Sequence, residues 1–179
     1  MALTRRSLLV AALGAAVAVA AGCGPSAQLK EARSARYQGT RDEVFLAVTE
    51  ALGQTGNPVD RSDPEQAAAL TRGRWFEKDG THEDKAFDDS KVMAEDGSVF
   101  LAFIVTVVGD APPFQVKVEP SVDQVRSGYS ALYHMKPTDP QLPGWVVGKT
   151  EDLELALHKR LKNKLIASPG AVAPAAPTP

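Results

Sequence analysis

A stretch of ten strand-forming residues, Val99 to Val108, constrains the fold more than any other feature of this chain. Most of its side chains are β-branched or aromatic, and such residues favour extended backbone. Because both alternating sets of side chains are apolar, the pattern predicts a central strand that is at least partly covered on both faces. The preceding pair Asp96-Gly97 is typical of a tight hairpin turn. We therefore expect an antiparallel sheet built around this stretch.

The segments on either side supply the neighbouring strands. Residues 70–77 have strand propensity, with Gly73 as a potential bulge. After a turn rich in Gly and Pro, apolar and polar residues alternate from Phe114 to Glu119, which predicts a half-exposed strand that ends at Pro120. The sequence thus predicts an antiparallel sheet of three to four strands.

Two helices are predicted to complete an α+β fold. Thr40-Arg41-Asp42-Glu43 has the form of a capping box and is followed by an apolar stripe at helical spacing. Near the C-terminus, Thr150 is predicted to cap a helix in which four leucines recur every four residues, at positions 153, 157, 161 and 165. We expect the N-terminal and the C-terminal helix to pack on one face of the sheet.

The first 22 residues have the three-part layout of a secretory signal peptide. Arg5 and Arg6 form a basic start, an apolar run from Leu8 to Ala21 follows, and small residues precede Cys23. The apolar run is shorter than the roughly 20 residues that a membrane-spanning helix needs. The leader is therefore predicted to be an export signal and not a permanent transmembrane anchor.

Two motifs in the leader resemble known targeting signals. Thr4-Arg5-Arg6-Ser7-Leu8-Leu9 resembles the twin-arginine consensus, which implies export of a folded protein. Ordinary secretory signals also contain Arg-Arg, so both export routes stay open.

Ala20-Ala21-Gly22-Cys23 resembles the lipobox of bacterial lipoproteins, with alanine at a position that is usually leucine. This resemblance implies cleavage between Gly22 and Cys23 and attachment of acyl chains to Cys23. Two or more chains suffice for stable anchoring. The competing interpretation is ordinary cleavage after Ala18-Val19-Ala20, which would leave Cys23 unmodified.

Composition limits the remaining classes of function. The formal net charge is −2, and the chain without its leader is more acidic because the leader contributes two arginines and no acid. Such a charge gives no general attraction to nucleic acid. Cys23 is the only cysteine, so an intramolecular disulfide is excluded.

The predicted location is the cell envelope, facing the periplasm. Gly24 stands where an aspartate retains enteric lipoproteins at the inner membrane, which favours the outer membrane over the inner one. The predicted organisation is a signal peptide over residues 1–22, a lipidated N-terminus and polar tether over 23–38, a single domain over 39–167, and a disordered Ala/Pro-rich tail over 168–179.

No sequence motif indicates catalysis, a cofactor or a metal. The nucleophile-elbow, P-loop and dinucleotide-binding patterns are all missing from the sequence. The acidic stretch from Asp79 to Ser90 contains His82, but its spacing matches neither a calcium-binding loop nor a zinc motif, so we predict no metal site there. We expect a protein without enzymatic activity.

The segment Ser121 to Gly148 is predicted to be irregular and to carry the candidate binding surface. It contains the side chains that we expect to form that surface: Tyr129, Tyr133, His134 and Trp145. The alternative is that these aromatic residues pin a loop over the core.

One stretch resembles the helix-plus-sheet module of BamC-type accessory lipoproteins of outer-membrane protein assembly. The resemblance lies in Tyr37-x-Gly39-Thr40-x-x-Glu43-Val44-Phe45, then Leu52, then Thr71 to Trp75. It covers about a third of the chain and implies a fold and, weakly, an envelope protein partner, but no site residue. We therefore expect a structural or accessory protein-interaction module. The alternatives are a periplasmic ligand-binding protein that uses the surface from Tyr129 to Trp145, and an unrecognised enzyme.

Overall fold

The computed structural model describes residues 26–81, 95–128 and 130–165. Three helices are present in this part of the chain: α1 (Ala27–Ser34), α2 (Arg41–Gln54) and α3 (Gly144–Leu165). The six strands are β1 (Val59–Asp63), β2 (Ala68–Thr71), β3 (Arg74–Phe76), β4 (Val99–Val108), β5 (Gln115–Gln124) and β6 (Tyr133–Met135). The predicted α+β class is confirmed, although the sheet has more strands than the three to four expected.

All six strands belong to one antiparallel sheet with β4 in its centre. The order is β1-β2-β4-β5-β6, and β3 also pairs with β4. β2 faces residues 104–106 of β4 and β3 faces residues 99–101, while β5 pairs with the whole length of β4. β2 and β3 are therefore two halves of one interrupted strand on the same edge of β4, with the break at Arg72 and Gly73.

The glycine at this break is explained by an aromatic ring. A Cβ atom on Gly73 would lie 2.1 Å from Cζ of Phe100, so the ring of Phe100 occupies the space that any other side chain would need. Phe100 also packs against Trp75, with ring centroids 5.3 Å apart. The glycine predicted as a bulge thus allows a close approach between a ring and the backbone.

β5 continues through Pro120, which corrects the predicted end of that strand. Pro120 pairs with Phe103, whose N–H points the other way, to Thr71 Oγ1 at 2.9 Å. Pro120 and Phe103 are therefore a non-hydrogen-bonded pair, in which the backbone nitrogen of each residue points away from the partner strand. The nitrogen of Pro120, which carries no hydrogen, thus points towards β6 and not towards β4. Because β6 pairs only with residues 122–124, no ladder hydrogen bond is lost at Pro120.

α2 begins as its sequence predicts. Thr40 Oγ1 accepts a hydrogen bond from the Glu43 N–H at 3.2 Å, and Glu43 Oε2 accepts one from the Thr40 N–H at 2.7 Å. This is a complete capping box, which satisfies two amide groups that the first helical turn leaves without partners. The buried face of α2 holds the predicted apolar stripe, including Val44, Val48 and Leu52.

The predicted tether is the main correction to the domain organisation. Residues 27–34 form α1, which packs on α3 and β5, with Leu29 and Ala32 buried. Tyr37 follows, also buried, and forms a β-bridge with Phe114. Residues 27–38, placed in the tether by the sequence analysis, therefore belong to the folded unit, because a short apolar face is enough to fix α1 on the domain.

α3 also starts earlier than predicted, inside the segment expected to be irregular. Gly144 is its first residue, and Thr150, the predicted cap, lies within the helix and donates its hydroxyl to the Val146 carbonyl at 2.8 Å. Val146 is fully buried. Tertiary burial of this first turn thus outweighs the low helix propensity of Gly148.

The helices cover one face of the sheet, as predicted. α2 contacts β1, β2 and β4, α3 contacts β5, and all contribute to one core. The alternate residues of β4 that face the helices are buried, at positions 99, 101, 103, 105 and 107. On the other face, Ala102 is buried whereas Ile104 and Val108 are 39% and 43% exposed, so this face is partly covered.

Candidate functional site

A groove lies between α3, the turn that follows α2 and the interrupted edge of the sheet, with a volume of about 360 Å³. Apolar side chains in its lining are those of Phe76, Leu101 and Phe103. The α3 segment that contains Lys149 and Leu153 lines it too, as do Thr55 and Asn57, which follow the last residue of α2. The groove therefore reaches the core beside α3.

The break between β2 and β3 shapes this groove. β4 residues 102 and 103 have no backbone partner on that edge, because β2 pairs from residue 104 onward and β3 only up to residue 101. The Thr71 hydroxyl replaces the missing carbonyl and accepts the Phe103 N–H at 2.9 Å. The Thr71 side chain thus satisfies the buried N–H of Phe103 where no neighbouring strand does, and the groove lies at this gap in the pairing.

Three cationic side chains line the groove, and one carboxylate opposes them. Arg72 and Arg74 flank Gly73 at the break, and Lys149 projects from α3. Lys149 Nζ lies 4.7 Å from the centroid of the Phe76 ring, a cation–π distance. The carboxylate is Asp152, so the lining has an excess of positive charge. This combination suits a small ligand with an apolar body and an acidic group.

A second cavity, of about 250 Å³, adjoins a polar cluster between α1 and α3 in which Tyr37 and His158 are buried and Glu31 and Lys162 are exposed. The Tyr37 hydroxyl lies 3.1 Å from His158 Nδ1, and burial raises the pKa of Tyr37 to about 12. His158 Nε2 lies 3.5 Å from Glu31 Oε1 without making a hydrogen bond. Lys162 Nζ holds the same Glu31 oxygen at 2.8 Å, and this contact lowers the pKa of Glu31.

The contacts of this cluster hold α1 and the segment that follows it against α3. A phenol with a pKa of about 12 stays protonated at neutral pH and is a poor base. His158 is 9% exposed, so its imidazole has little access to a substrate. Its described contacts, with Tyr37 and Glu31, join the segment around α1 to α3.

The predicted surface residues are distributed over different parts of the fold. Tyr129 lies outside the described residues. Tyr133 is stacked under Arg126, whose Cζ lies 3.5 Å from the ring centroid, and donates its hydroxyl to Asp139 at 3.2 Å. His134, next in the same strand, is exposed on the other face and contacts Asp123 at 3.0 Å.

Trp145 anchors a turn to the start of α3. Its indole packs on Phe76 with centroids 5.2 Å apart, and Nε1 donates to the Lys78 carbonyl at 3.1 Å. A Cβ atom on Gly80 would lie 2.7 Å from the indole, so the ring rests directly on the turn. Trp145 thus packs the turn at residues 78–80 against the first turn of α3.

The groove was not predicted from the sequence. A usable signal was Arg72-Gly73-Arg74, two cations beside a glycine in a predicted strand. No sequence pattern links Lys149 to these arginines, because only the fold brings the first turns of α3 close to that edge.

Several sequence predictions concern residues outside the described ranges. These are the residues of the export signal and lipidation site, Arg5, Arg6, Gly22 and Cys23, and His82 of the acidic stretch. Within residues 26–81, 95–128 and 130–165, no group of three or more His, Cys, Asp or Glu side chains could hold a metal ion. None of the helices in these ranges combines the length and apolarity of a bilayer-spanning helix.

No protein-family model matches the sequence, and no curated protein matches it either.

Proposed function

We propose that this chain is a lipid-anchored lipoprotein of the cell envelope whose domain acts as an accessory protein-interaction module without catalytic activity. The leader supports the anchor: Arg5-Arg6, an apolar run and small residues lead to Cys23. The acyl chains on Cys23 hold the protein at a membrane, on the periplasmic side and at the outer membrane in preference to the inner one. The resemblance to BamC-type accessory lipoproteins is consistent with a partner among envelope proteins.

The observation that carries the interaction role is the face of the sheet opposite the helices. Ile104 and Val108 expose 39% and 43% of their surface there. Lys117 and Glu119, their neighbours on β5, are opposite Thr106 and Ile104 and make an ion pair at 2.9 Å. An apolar strip with a charged border resembles the composition of protein-binding surfaces.

The anchor is tested by acyl labelling and membrane fractionation of the wild type and Cys23→Ala. We expect the wild type to incorporate label and to fractionate with membranes, and the variant to do neither. Label that persists in Cys23→Ala, or a wild type that is found in the soluble fraction, contradicts the anchor.

The interaction surface is tested by in-cell photo-crosslinking from Ile104, with Leu46 as the matched control. Leu46 is 61% exposed on α2, so both positions present an apolar side chain to solvent. We expect a discrete adduct from position 104 and none from position 46. Ile104→Lys should abolish co-purification of the captured protein, whereas Leu46→Lys should preserve it. Identical adducts from both positions, or none from 104, contradict this surface.

A second candidate function is periplasmic ligand binding, with the site in the groove and not across the surface from Tyr129 to Trp145. It is favoured by the apolar side chains of the lining together with three cations, Arg72, Arg74 and Lys149. Calorimetry with dodecanoate, an apolar anion, tests it. Arg72→Gln/Lys149→Gln should abolish the heat of binding, and Lys117→Gln/Lys136→Gln, an equal change of charge elsewhere, should not. Equal effects of the two double variants, or no binding to the wild type, contradict this function.

A further inference from the structure

α1 and α3 are antiparallel, and this places the start of one beside the end of the other. Glu31 of α1 pairs with Lys162 of α3 at 2.8 Å, and Arg33, further along α1, pairs with Glu154 at 2.8 Å. Residue numbers thus rise along α1 as they fall along α3. Ala27, the first residue of α1, therefore lies at the same end of the domain as the last turns of α3.

Covalent geometry keeps this end close to Cys23. Three residues separate Cys23 from Ala27. A fully extended chain spans at most about 3.6 Å per residue, so the two Cα atoms are no more than about 14 Å apart. Any lipid on Cys23 consequently holds this end of the domain at the bilayer surface, within reach of electrostatic interactions with headgroups.

The same end carries exposed cations. Lys30 of α1 and Lys159, Arg160 and Lys162 of α3 are all exposed. The carboxylates on the surrounding elements are Glu31, which pairs with Lys162, and Glu50, which lies one helical turn before Gln54 of α2. Arg160 donates to the neutral Gln54 side chain at 3.3 Å. Among the side chains that the structure describes at this end, four cations stand against two carboxylates, and the excess is positive in a chain whose net charge is negative.

The helix dipole explains cations in the last turns of α3, but not the whole arrangement. A dipole favours cations at its own C-terminal end. Lys30 belongs to the first turn of a different helix, where the dipole disfavours a positive charge. A common binding role for the start of α1 and the end of α3 accounts for Lys30 together with the three cations of α3.

We propose that this end of the domain binds anionic phospholipid headgroups and so fixes the orientation of the domain on the membrane. The proposal rests on the lipid anchor at Cys23, which brings the cations to the surface. Lysine and arginine near an anionic leaflet contribute about a fivefold gain in binding for each charge. With the cationic end on the membrane, the start of α3 and the turn at residues 78–80 point away from it.

A single acyl chain on Cys23 gives the most sensitive test. The mature chain, residues 23–179, contains every described element, and its only thiol can be coupled to a tetradecyl maleimide. One such chain binds membranes only marginally, so an added electrostatic contribution is measurable. Sedimentation with vesicles of phosphatidylcholine, with and without phosphatidylglycerol, gives the partition coefficient.

The charge variants are matched in number and differ in position. Lys159→Gln/Lys162→Gln removes two cations from the proposed contact. Lys78→Gln/Lys136→Gln removes two exposed cations near the start of α3, where Trp145 Nε1 bonds the Lys78 carbonyl. Far-ultraviolet circular dichroism checks that both variants are folded.

We expect the wild type to partition more strongly when phosphatidylglycerol is present. Lys159→Gln/Lys162→Gln should lower that partition coefficient by roughly tenfold or more, and Lys78→Gln/Lys136→Gln should change it by less than about twofold. Equal losses in the two variants, or no preference for phosphatidylglycerol, overturn the proposal. Because the acyl chain is attached chemically, this result does not depend on lipidation in the cell, which the labelling of Cys23→Ala tests separately.

Discussion

The hydroxyl of Tyr37 and Nδ1 of His158 lie 3.1 Å apart, although 121 positions separate the two residues in the chain. Both side chains are buried, at 2% and 9% exposure. The backbone of Tyr37 also exchanges two hydrogen bonds with Phe114, at 2.7 and 2.8 Å. Tyr37 thus joins the segment after α1 to both α3 and the sheet.

Tyr37→Phe removes the hydrogen bond and keeps the ring. We expect the free energy of unfolding to fall by about 1–2 kcal/mol, because the buried His158 Nδ1 loses its partner. Urea denaturation measures the change. Tyr133→Phe is the control, because its hydroxyl bonds to Asp139 at a half-buried site and the loss should be smaller. An equal or larger loss of stability in Tyr133→Phe contradicts the prediction that the Tyr37–His158 hydrogen bond stabilises the fold more than the Tyr133–Asp139 bond does.

Stability should fall at alkaline pH through Tyr37. Its pKa is about 12 in the folded protein and 10.0 for the free side chain. The folded state holds the proton more tightly than the unfolded state, so the stabilisation is complete below pH 10 and is lost as pH rises towards 12. Denaturation midpoints of the wild type should decrease across this range more steeply than those of Tyr37→Phe. Parallel pH profiles contradict the prediction.

Gly73→Ala should destabilise the sheet, because its Cβ would lie 2.1 Å from Cζ of Phe100. We expect a loss of about 1–3 kcal/mol from the displacement of the ring. The matched control is Gly53→Ala in α2, where a Cβ meets nothing within 4 Å. That variant should be neutral or stabilised by up to about 1 kcal/mol. The double variant Gly73→Ala/Phe100→Ala should lose less stability than the sum of the losses of the two single variants, because the ring that meets the new Cβ is gone. A loss equal to that sum contradicts the proposed clash.

Trp145→Ala distinguishes an anchoring role from a binding role. The substitution removes the contact with Phe76, the cover over Gly80 and the hydrogen bond to the Lys78 carbonyl. We expect a loss of about 2–3 kcal/mol, below the range for a fully buried tryptophan because Trp145 is half-buried. Trp145→Phe should lose less. Unchanged unfolding midpoints in Trp145→Ala contradict the anchoring role.

The elements that could be predicted from the sequence are those with dense local signals. The capping box at Thr40 and Glu43 involves residues three positions apart, and both of its hydrogen bonds are present. β4 was predicted because nearly every side chain in it has strand propensity. These features depend little on distant contacts.

The features that were missed depend on tertiary packing. α1 has only Leu29 and Ala32 on its buried face, a pattern too sparse to distinguish from a tether. The early start of α3 depends on burial of Val146 against the core. The groove likewise depends on the first turns of α3 lying beside the interrupted edge of the sheet, a placement that no local pattern encodes.

The pairing of α1 with α3 also sets an order of events during synthesis. α1 leaves the ribosome before any strand of the sheet, but its residues contact Glu154, His158 and Lys162, which are made much later. Arg33 and Glu154 are 121 positions apart, and Glu31 and Lys162 are 131 positions apart. Docking of the first helix is therefore a late step, because a nascent chain that has not yet reached α3 holds α1 without its partner helix.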